Sequence, residues 1–231
     1  ELLLGDILNT NAQYLSKELA ALGIAVRSQS VVGDNAARLA ALAQQAKERS
    51  DLLVFTGGLG PTGDDLTKET VAQVFGDELV LDEGELGKIK MYFECRGGMP
   101  HNNEKQAMVP KHGEKIENTC GTAPGAVFHQ DGKTAILMPG PPREMRAMFE
   151  LSVRGILQRM AGGAIVSTML HIFGTGESAL EEMVPDLIAG ENPTGALYAK
   201  EGEVAVRVTA RGDTVQQAEI LRDELVQKFR D

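Results

Sequence analysis

A glycine-rich segment that carries two adjacent carboxylates has the residue types best suited to chemistry. Residues 56–67 read Thr-Gly-Gly-Leu-Gly-Pro-Thr-Gly-Asp-Asp-Leu-Thr. The residues of interest are Gly57, Gly58, Gly60, Asp64 and Asp65. The glycines let the backbone pass close to a bulky anion and aim its N–H groups at it. The aspartates would repel a phosphate unless a divalent cation bridged them, and Mg²⁺ is commonly held by carboxylates plus substrate phosphates.

The same segment leaves a second interpretation open. Thr62 and Thr67 can donate hydroxyl hydrogen bonds to a ligand, which favours a binding site. In the structural alternative the segment is only a glycine-rich turn, and its aspartates cap the helix that follows. The residue types alone do not separate these two interpretations.

The segment lies between a predicted strand and a predicted helix. Residues 52–55 form a short apolar run that is typical of a buried parallel strand, and helical spacing follows from Thr67 to Phe75. Upstream, the pattern predicts a helix between Thr10 and Gly23 and a strand over residues 24–32, followed by a second helix. Alternating strands and helices require crossover connections, so we expect a doubly wound, mostly parallel α/β sheet with ligands beyond the carboxyl ends of its strands.

Three further elements complete the larger predicted domain. A helix that carries Leu86, Ile89 and Phe93 is expected to end at Gly97-Gly98. Asp131-Gly132 predicts a hairpin turn between strands 125–130 and 133–138, because both turn residues tolerate positive φ. A pair of prolines that begins at Pro141 opens another helix, since proline in a first turn removes only an N–H that would be unpaired anyway.

A change of pattern near Ala161-Gly162-Gly163 predicts a linker between two domains. We assign residues 1–160 to a larger α/β domain and residues 164–231 to a smaller α+β domain. The expected elements of the smaller domain are a strand (165–173), a helix (177–188, bent at Pro185), a strand (194–199), a strand around 204–208 and a final helix (215–229).

The composition narrows the class of partner. The net charge is −10 and the pI about 5.0, which disfavours binding to nucleic-acid phosphate backbones. No apolar run approaches the roughly 18 residues of a membrane span, so no membrane partner is expected. Cys95 and Cys120 have neither zinc-ligand nor disulfide-framework spacing. We therefore expect reduced cysteines, a cytoplasmic location and a small-molecule ligand.

Several segments together resemble the CinA-like branch of the molybdopterin-binding fold. They are residues 1–5 with 9–12, residues 32–35, the Gly-Gly-Leu-Gly-Pro-Thr-x-Asp-Asp-Leu-Thr segment at 57–67, residues 103–107, 118–125 and 138–145, and, in the smaller domain, 176–178 and 192–194. The resemblance spans nearly the whole chain, and the combination of motifs is specific.

Two departures from this family pattern matter. The family usually begins with a strand before the position of Glu1, and the sheet of this sequence is therefore expected to lack that member. Longer members also carry a C-terminal nicotinamide-mononucleotide deamidase module. The sequence stops at Asp231, before any such module, so that activity is not assigned to it.

The resemblance implies an ADP-ribose pyrophosphatase that uses a divalent metal ion (Mg, Mn or Co). Water would attack one phosphorus and give AMP and ribose 5-phosphate, which requires charge neutralisation and an aligned water. By this resemblance Asp64 and Asp65 hold the metal, and one of them orients the water. Lys105 either supplies positive charge to the pyrophosphate or is a solvated surface lysine, and Glu104 either acts as a base or faces solvent.

The residues that the resemblance places at the substrate lie on the glycine-rich segment and on several others. They are Thr10, Asn11, Asn103, Gly140, Pro141 and Arg143, together with Gly57, Gly58, Gly60 and Thr62 of the glycine-rich segment. Gly140 and Pro141 precede a helix N-terminus, where negative charge is favoured. Thr10 and Asn11 have helix capping as an equally good interpretation. Arg143 either pairs with phosphate or contributes to local structure.

Two other functions stay open at this stage. The fold is shared with molybdenum-cofactor biosynthesis proteins, so a molybdopterin-binding module is one alternative, and a non-catalytic nucleotide-binding or regulatory domain is another. Dependence of turnover on a divalent metal would separate hydrolysis from both alternatives. The resemblance also implies self-association, most simply as a homodimer.

Overall fold

The computed structural model describes residues 2–161 and 163–231, so Glu1 and part of the predicted linker, Gly162, lie outside the described residues. The described residues divide into two compact units. The first unit holds residues 2–14 and 27–156, and the second holds residues 15–26, 157–161 and 163–231.

The described residues in the first two thirds of the chain form six α-helices and six β-strands. The α-helices are α1 (Thr10–Ala21), α2 (Ala36–Arg49), α3 (Thr67–Val74), α4 (Glu83–Glu94), α5 (Pro142–Met148) and α6 (Arg154–Ala161). The strands are β1 (Leu52–Thr56), β2 (Leu79–Leu81), β3 (Met108–Pro110), β4 (Glu114–Ile116), β5 (Gly125–Gln130) and β6 (Lys133–Met138). Short 3₁₀ helices cover Leu2–Leu4 and His101–Ala107, and a π-helical turn covers Phe149–Val153.

The principal sheet of the first unit has the strand order β1-β6-β5-β4. Strands β1 and β6 run parallel, with Thr56 opposite Met138, whereas β6–β5 and β5–β4 are antiparallel. The predicted α/β class is thus confirmed, and the described sheet is mixed because short connections force neighbouring strands to run antiparallel. Since β1 and β6 are parallel, the segments that follow them leave from the same edge of the sheet.

The predicted hairpin is confirmed. Strands β5 and β6 pair from Ala126↔Leu137 to Gln130↔Lys133. The turn residues Asp131 and Gly132 have φ values of 52° and 75°, which is the left-handed geometry that a two-residue Asp-Gly turn requires. Because β5 and β6 are largely buried, this hairpin supplies the centre of the sheet.

The predicted strand over residues 24–32 is wrong. The segment belongs to none of the described sheets, and Val26 and Val31 are 41% and 43% exposed. A β-strand exists only with a hydrogen-bonded neighbour, and β1 pairs with β6 rather than with this segment. The apolar pattern of residues 24–32 resembles that of a strand, but the pattern does not show whether a neighbouring strand is there to pair with it.

Helix α3 and the sheet share the apolar core of the first unit. Phe75, at the end of α3, lies against Phe128 of β5, with ring centroids 6.5 Å apart. Small residues of the strands, Ala126 and Ala135, are fully buried and let the helix approach closely. This packing holds α3, the helix that follows the glycine-rich segment, against the sheet.

The second unit confirms the predicted β-α-β-β-α order. Its elements are β7 (Ala164–Phe173), α7 (Glu177–Met183), α8 (Pro185–Ile188), β8 (Thr194–Lys200), β9 (Glu203–Gly212) and α9 (Val215–Arg230). The sheet order is β7-β9-β8, and both pairings are antiparallel. The helical segment divides at Pro185 as expected, because proline cannot donate an interior helical hydrogen bond. None of the helices in the described residues is both long and apolar enough to cross a membrane.

Candidate functional site

Three segments meet at the carboxyl ends of β1 and β6. The Gly57 amide donates to the Met138 carbonyl at 3.0 Å. A Cβ added to Gly140 would lie 3.3 Å from the Gly57 Cα, so the backbones after the two strands are nearly in contact. The Asn11 side-chain amide, in the first turn of α1, donates to the Gly140 carbonyl at 2.8 Å. The structure therefore brings together Asn11, Gly57 and Gly140.

The backbone of the glycine-rich segment turns sharply after β1. Gly57 and Gly58 have φ values of 90° and 69°, which L side chains rarely adopt. The Thr67 amide, at the start of α3, donates to the Gly58 carbonyl at 3.1 Å and closes the segment into a loop. A Cβ at Gly58 would lie 2.1 Å from the Thr67 hydroxyl oxygen. Both the positive φ and the close approach require glycine at position 58.

We expect Gly58→Ala to lower the free energy of unfolding by about 2–4 kcal/mol, because left-handed backbone strain adds to the collision with Thr67. Gly63→Ala is the matched control, since a Cβ there meets no atom within 4 Å. Urea unfolding of the two variants measures the difference. Equal losses in both variants would show that the close contact at position 58 has no energetic consequence.

The two adjacent aspartates have different environments. One carboxylate oxygen of Asp65 accepts hydrogen bonds from the Thr62 amide, at 3.0 Å, and from the Thr62 hydroxyl. The Asp65 carboxylate also lies against Gly60, where a Cβ would be 2.4 Å from the same oxygen. Asp64 is exposed. Asp65 does not fill the helix-capping role that the sequence left open, because the N-cap of α3 is Leu66 and makes no side-chain capping hydrogen bond. Asp65 instead stabilises the inside of the loop.

The electrostatics of the loop favour an ionised Asp64. The Thr62 hydroxyl, followed by the backbone amide of Asp64, lowers the pKa of the Asp64 carboxyl, and the positive charge of Lys105 adds to this effect. A lowered pKa means that the carboxylate stays ionised below its ordinary titration range and is protonated only in stronger acid. Asp64 is thus negatively charged throughout the neutral range.

Lys105 braces the loop from the 3₁₀ helix at His101–Ala107. Its ammonium group donates to the Thr62 carbonyl at 3.2 Å and to the Asp65 carbonyl, and lies 3.5 Å from a carboxylate oxygen of Glu69. An ammonium has three donors, so these three contacts match its capacity. The side chain is 27% exposed. Lys105 places positive charge at the loop while holding the loop's backbone.

Two neighbours of Lys105 point elsewhere. Asn103 is 5% exposed and donates its side-chain amide to Gln106 at 2.9 Å, within the 3₁₀ helix. Glu104 is 46% exposed and lies 3.4 Å from the His101 ring nitrogen Nδ1. The structure therefore places Asn103 in the support of this helix and Glu104 at its surface.

The other residues expected at the substrate lie at helix starts. Thr10 begins α1 and is half-buried. Pro141 immediately precedes α5, and its carbonyl accepts the Met145 amide at 3.0 Å. Arg143 is exposed on the first turn of α5. Through Gly140 the start of α5 lies beside Gly57, whereas no contact in the described residues places Arg143 against the loop.

Lys68 is a buried residue of this region that the sequence did not single out. It is 2% exposed, and its ammonium donates to the Gln106 carbonyl at 3.1 Å and lies 3.5 Å from the Lys105 carbonyl. Burial lowers the pKa of Lys68 to about 8, with Glu69 opposing this shift and Lys105 adding to it. A lysine after a helix-starting threonine normally indicates solvent exposure, so no sequence signal identified it.

The donor set of the loop suits a cation that is shared with a ligand. Within the described residues, no cluster of three or more His, Cys, Asp or Glu side chains could hold a metal ion alone. Asp64 and Asp65 supply two carboxylates, and Mg²⁺ commonly completes such a set with waters and substrate phosphates. In addition, Asn11 Oδ1 and Glu69 Oε2 are buried acceptors without a hydrogen-bond partner among the described residues. A cation held by Asp64 and Asp65 would therefore need waters and substrate phosphates to complete its ligands.

The fold and the loop define a molybdopterin-binding-like domain, and family comparisons agree. Residues 1–159 match the family described as "Probable molybdopterin binding domain". Residues 167–231 match the family described as "Damage-inducible protein CinA KH domain". The chain belongs to the CinA-like, competence-damage-inducible branch of the molybdopterin-binding-domain family, as the resemblance of its motifs predicted.

Individual relatives extend this result. A "Putative competence-damage inducible protein" of Clostridioides difficile is 50% identical over 94% of this chain and 53% of its own length. A "CinA-like protein" of Dictyoglomus thermophilum is 50% identical over 100% of this chain and 56% of its own length. The chain thus spans about half the length of these curated relatives. The crystal structure of "the protein CinA with unknown function" from Thermoplasma acidophilum is 38% identical, covers 68% of this chain and 93% of that one, and has a TM-score of 0.61.

Proposed function

We propose that this chain hydrolyses the pyrophosphate bond of ADP-ribose with the aid of a divalent cation and releases AMP and ribose 5-phosphate. The observation that carries the proposal is the loop at residues 57–66, where glycine backbone, an ionised carboxylate at Asp64 and the Lys105 ammonium lie together at the carboxyl ends of β1 and β6. A ligand at this edge is expected in open α/β sheets.

Phosphate oxygens would be bound by the loop backbone between the glycines. The Gly57 amide is already used by Met138, and the Thr62 amide by Asp65. We therefore assign the phosphate-binding donors to the amides of Gly58–Gly60. The positive φ of Gly57 and Gly58 turns successive N–H groups in the manner of an anion-binding concavity. The start of α5, beside Gly57, adds the positive end of a helix dipole.

Asp64 and Asp65 would hold the cation together with the substrate phosphates. Asp64 is exposed and ionised, so it suits the role of metal ligand better than that of base. Asp65 uses one oxygen to brace Thr62, and we assign its second oxygen to the cation or to the attacking water. A divalent cation bound there neutralises phosphate charge and polarises a phosphoryl oxygen.

Lys105 contributes to the reaction through its field and through the shape of the loop. Its ammonium is directed at the carbonyls of Thr62 and Asp65, not away from the loop. The charge still lies close enough to lower the pKa of Asp64, and it would stabilise negative charge that grows on the leaving phosphate. Hydrolysis adds one water across the anhydride, and the P–O bond to the AMP phosphate or to the ribose phosphate breaks.

The proposal is tested by product analysis. The 231-residue chain is incubated with ADP-ribose and Mg²⁺, Mn²⁺, Co²⁺ or EDTA, and nucleotides are separated by anion-exchange chromatography. We expect AMP and ribose 5-phosphate in equal amounts with at least one metal and none with EDTA. A folded protein that yields no AMP with any of the three metals would remove ADP-ribose hydrolysis as its function.

A second candidate is binding of a molybdopterin-type ligand without turnover. It is favoured by the description of the family that matches residues 1–159. The same loop would bind the ligand's phosphate, so binding alone does not separate the two candidates. Saturable binding of a molybdopterin phosphate, combined with no metal-dependent cleavage of ADP-ribose, would favour this second function.

A further inference from the structure

Two lysines link the 3₁₀ helix at His101–Ala107 to the glycine-rich loop and α3, and each lysine belongs to a different one of these two segments. Lys68 lies on α3, and its ammonium contacts the backbone carbonyls of Gln106 and Lys105 on the 3₁₀ helix, at 3.1 and 3.5 Å. Lys105 lies on that 3₁₀ helix, and its ammonium contacts the carbonyls of Thr62 and Asp65 in the loop that leads into α3. Each segment is thus held by a lysine of the other.

We propose that Lys68 is a positioning residue that sets the orientation of Lys105 and, through it, the conformation of the glycine-rich loop. We call Lys68, Lys105 and the four carbonyls that they contact the lysine clasp. Burying an ammonium is costly unless it is paired and hydrogen-bonded. Lys68 is 2% exposed, and the successive backbone carbonyls of Lys105 and Gln106 offset that cost by accepting from its ammonium group.

The charges around the clasp explain why it depends on both lysines. Glu69, the neighbour of Lys68 on α3, lies 3.5 Å from the Lys105 ammonium and offsets the repulsion between the two cations. Without Lys68, the Lys105–Glu69 pair still links the 3₁₀ helix to α3, but the hydrogen bonds that hold the backbone of Lys105 and Gln106 are lost. The loop carbonyls of Thr62 and Asp65 then lose a well-directed donor.

Hydrogen exchange on the full chain tests this inference without any assumption about activity. In Lys68→Met, which keeps the chain length but not the donor, we expect exchange about 10-fold faster or more at the amides of Asp65, Thr67 and Asn103. These amides donate to Thr62, Gly58 and Pro100 respectively. The β5–β6 amides are expected to keep their wild-type rates. Lys90→Met, at an exposed lysine of α4, is the matched control.

Two exchange results would overturn the proposal. If residues 57–67 and 101–107 keep their wild-type rates in Lys68→Met, the lysine does not position them. If the β5–β6 amides accelerate by the same factor, the variant has lost global stability only. Lys68→Arg retains a charged donor and is expected to restore at least part of the protection.

Turnover supplies the second readout, and this part rests on the proposed function. We expect kcat for ADP-ribose to fall roughly 10–100-fold in Lys68→Met while KM changes less, since misplacement by about 1 Å can cost two orders of magnitude. The double variant Lys68→Met/Lys105→Met should lose scarcely more than Lys105→Met alone, because residues in one network are not additive. If the losses of kcat in the two single variants add up in the double variant, the clasp is contradicted. A wild-type chain that shows no turnover would refute only the proposed function, and the exchange experiment would still decide on the clasp.

Discussion

Replacing Asp64 or Asp65 by asparagine is expected to reduce kcat/KM for ADP-ribose by about 10²–10⁴-fold, the range associated with loss of one essential charged group. Asparagine keeps the size and one oxygen of each side chain but removes the negative charge that a cation requires. Asp64 is exposed, so its replacement leaves the loop packing intact. Steady-state kinetics at saturating Mg²⁺ or Mn²⁺ measures the effect.

A stability measurement on both variants separates the loss of a metal ligand from the loss of a structural contact. Asparagine at 65 retains an oxygen that can accept from Thr62, so the free energy of unfolding should change by less than about 1 kcal/mol in both variants. Asp131→Asn is the matched control, because asparagine tolerates the left-handed φ at that turn. Full activity in both site variants would show that the two carboxylates take no part in the reaction.

Replacing Lys105 by methionine is the second change with a large expected effect. We expect kcat to fall by about 10²-fold or more, because both the charge at the loop and the brace on two loop carbonyls are lost. Stability should also fall, by about 1–3 kcal/mol, since a partly buried Glu69 carboxylate and the Thr62 and Asp65 carbonyls lose their donor. Lys90→Met serves as the control for loss of a surface lysine.

A companion variant divides the two contributions of Lys105. Glu69→Gln removes the negative charge that Lys105 neutralises, so Lys105→Met/Glu69→Gln should recover part of the lost stability. Turnover should not recover, because the positive charge near the phosphates is still missing. If stability and turnover recovered together, Lys105 would act through folding alone and would have no electrostatic role in the reaction.

Local and near-neighbour features of the fold were predictable from the sequence. The hairpin at Asp131-Gly132 depends on two turn residues, and the helix break before Pro185 depends on one proline. Both features could therefore be predicted from the sequence. The predicted strand over residues 24–32 was wrong for the converse reason. Its apolar pattern is local, but a strand requires an edge to pair with, and that edge depends on the rest of the chain.

The candidate site likewise has local features that the sequence predicts and long-range contacts that it does not. Glycine spacing and paired aspartates identified the loop, because positive φ and phosphate approach restrict residue type locally. The direction of a long side chain is not local: Lys68 is buried against carbonyls 37 and 38 residues away, and Lys105 reaches back 40 and 43 residues. A lysine in the first turn of a helix has the same sequence appearance whether it meets solvent or a buried carbonyl.

Binding of Mn²⁺ in the presence of an uncleavable substrate tests the central claim most directly. The chain is titrated with Mn²⁺, and free ion is followed by electron paramagnetic resonance, with and without ADP-ribose whose bridging oxygen is replaced by methylene. We expect weak Mn²⁺ binding without the nucleotide, at least about 10-fold tighter binding with it, and loss of that gain in Asp64→Asn/Asp65→Asn. Mn²⁺ affinity that the nucleotide does not change, or a gain that survives in the double variant, would contradict a phosphate-bridged cation at the glycine-rich loop.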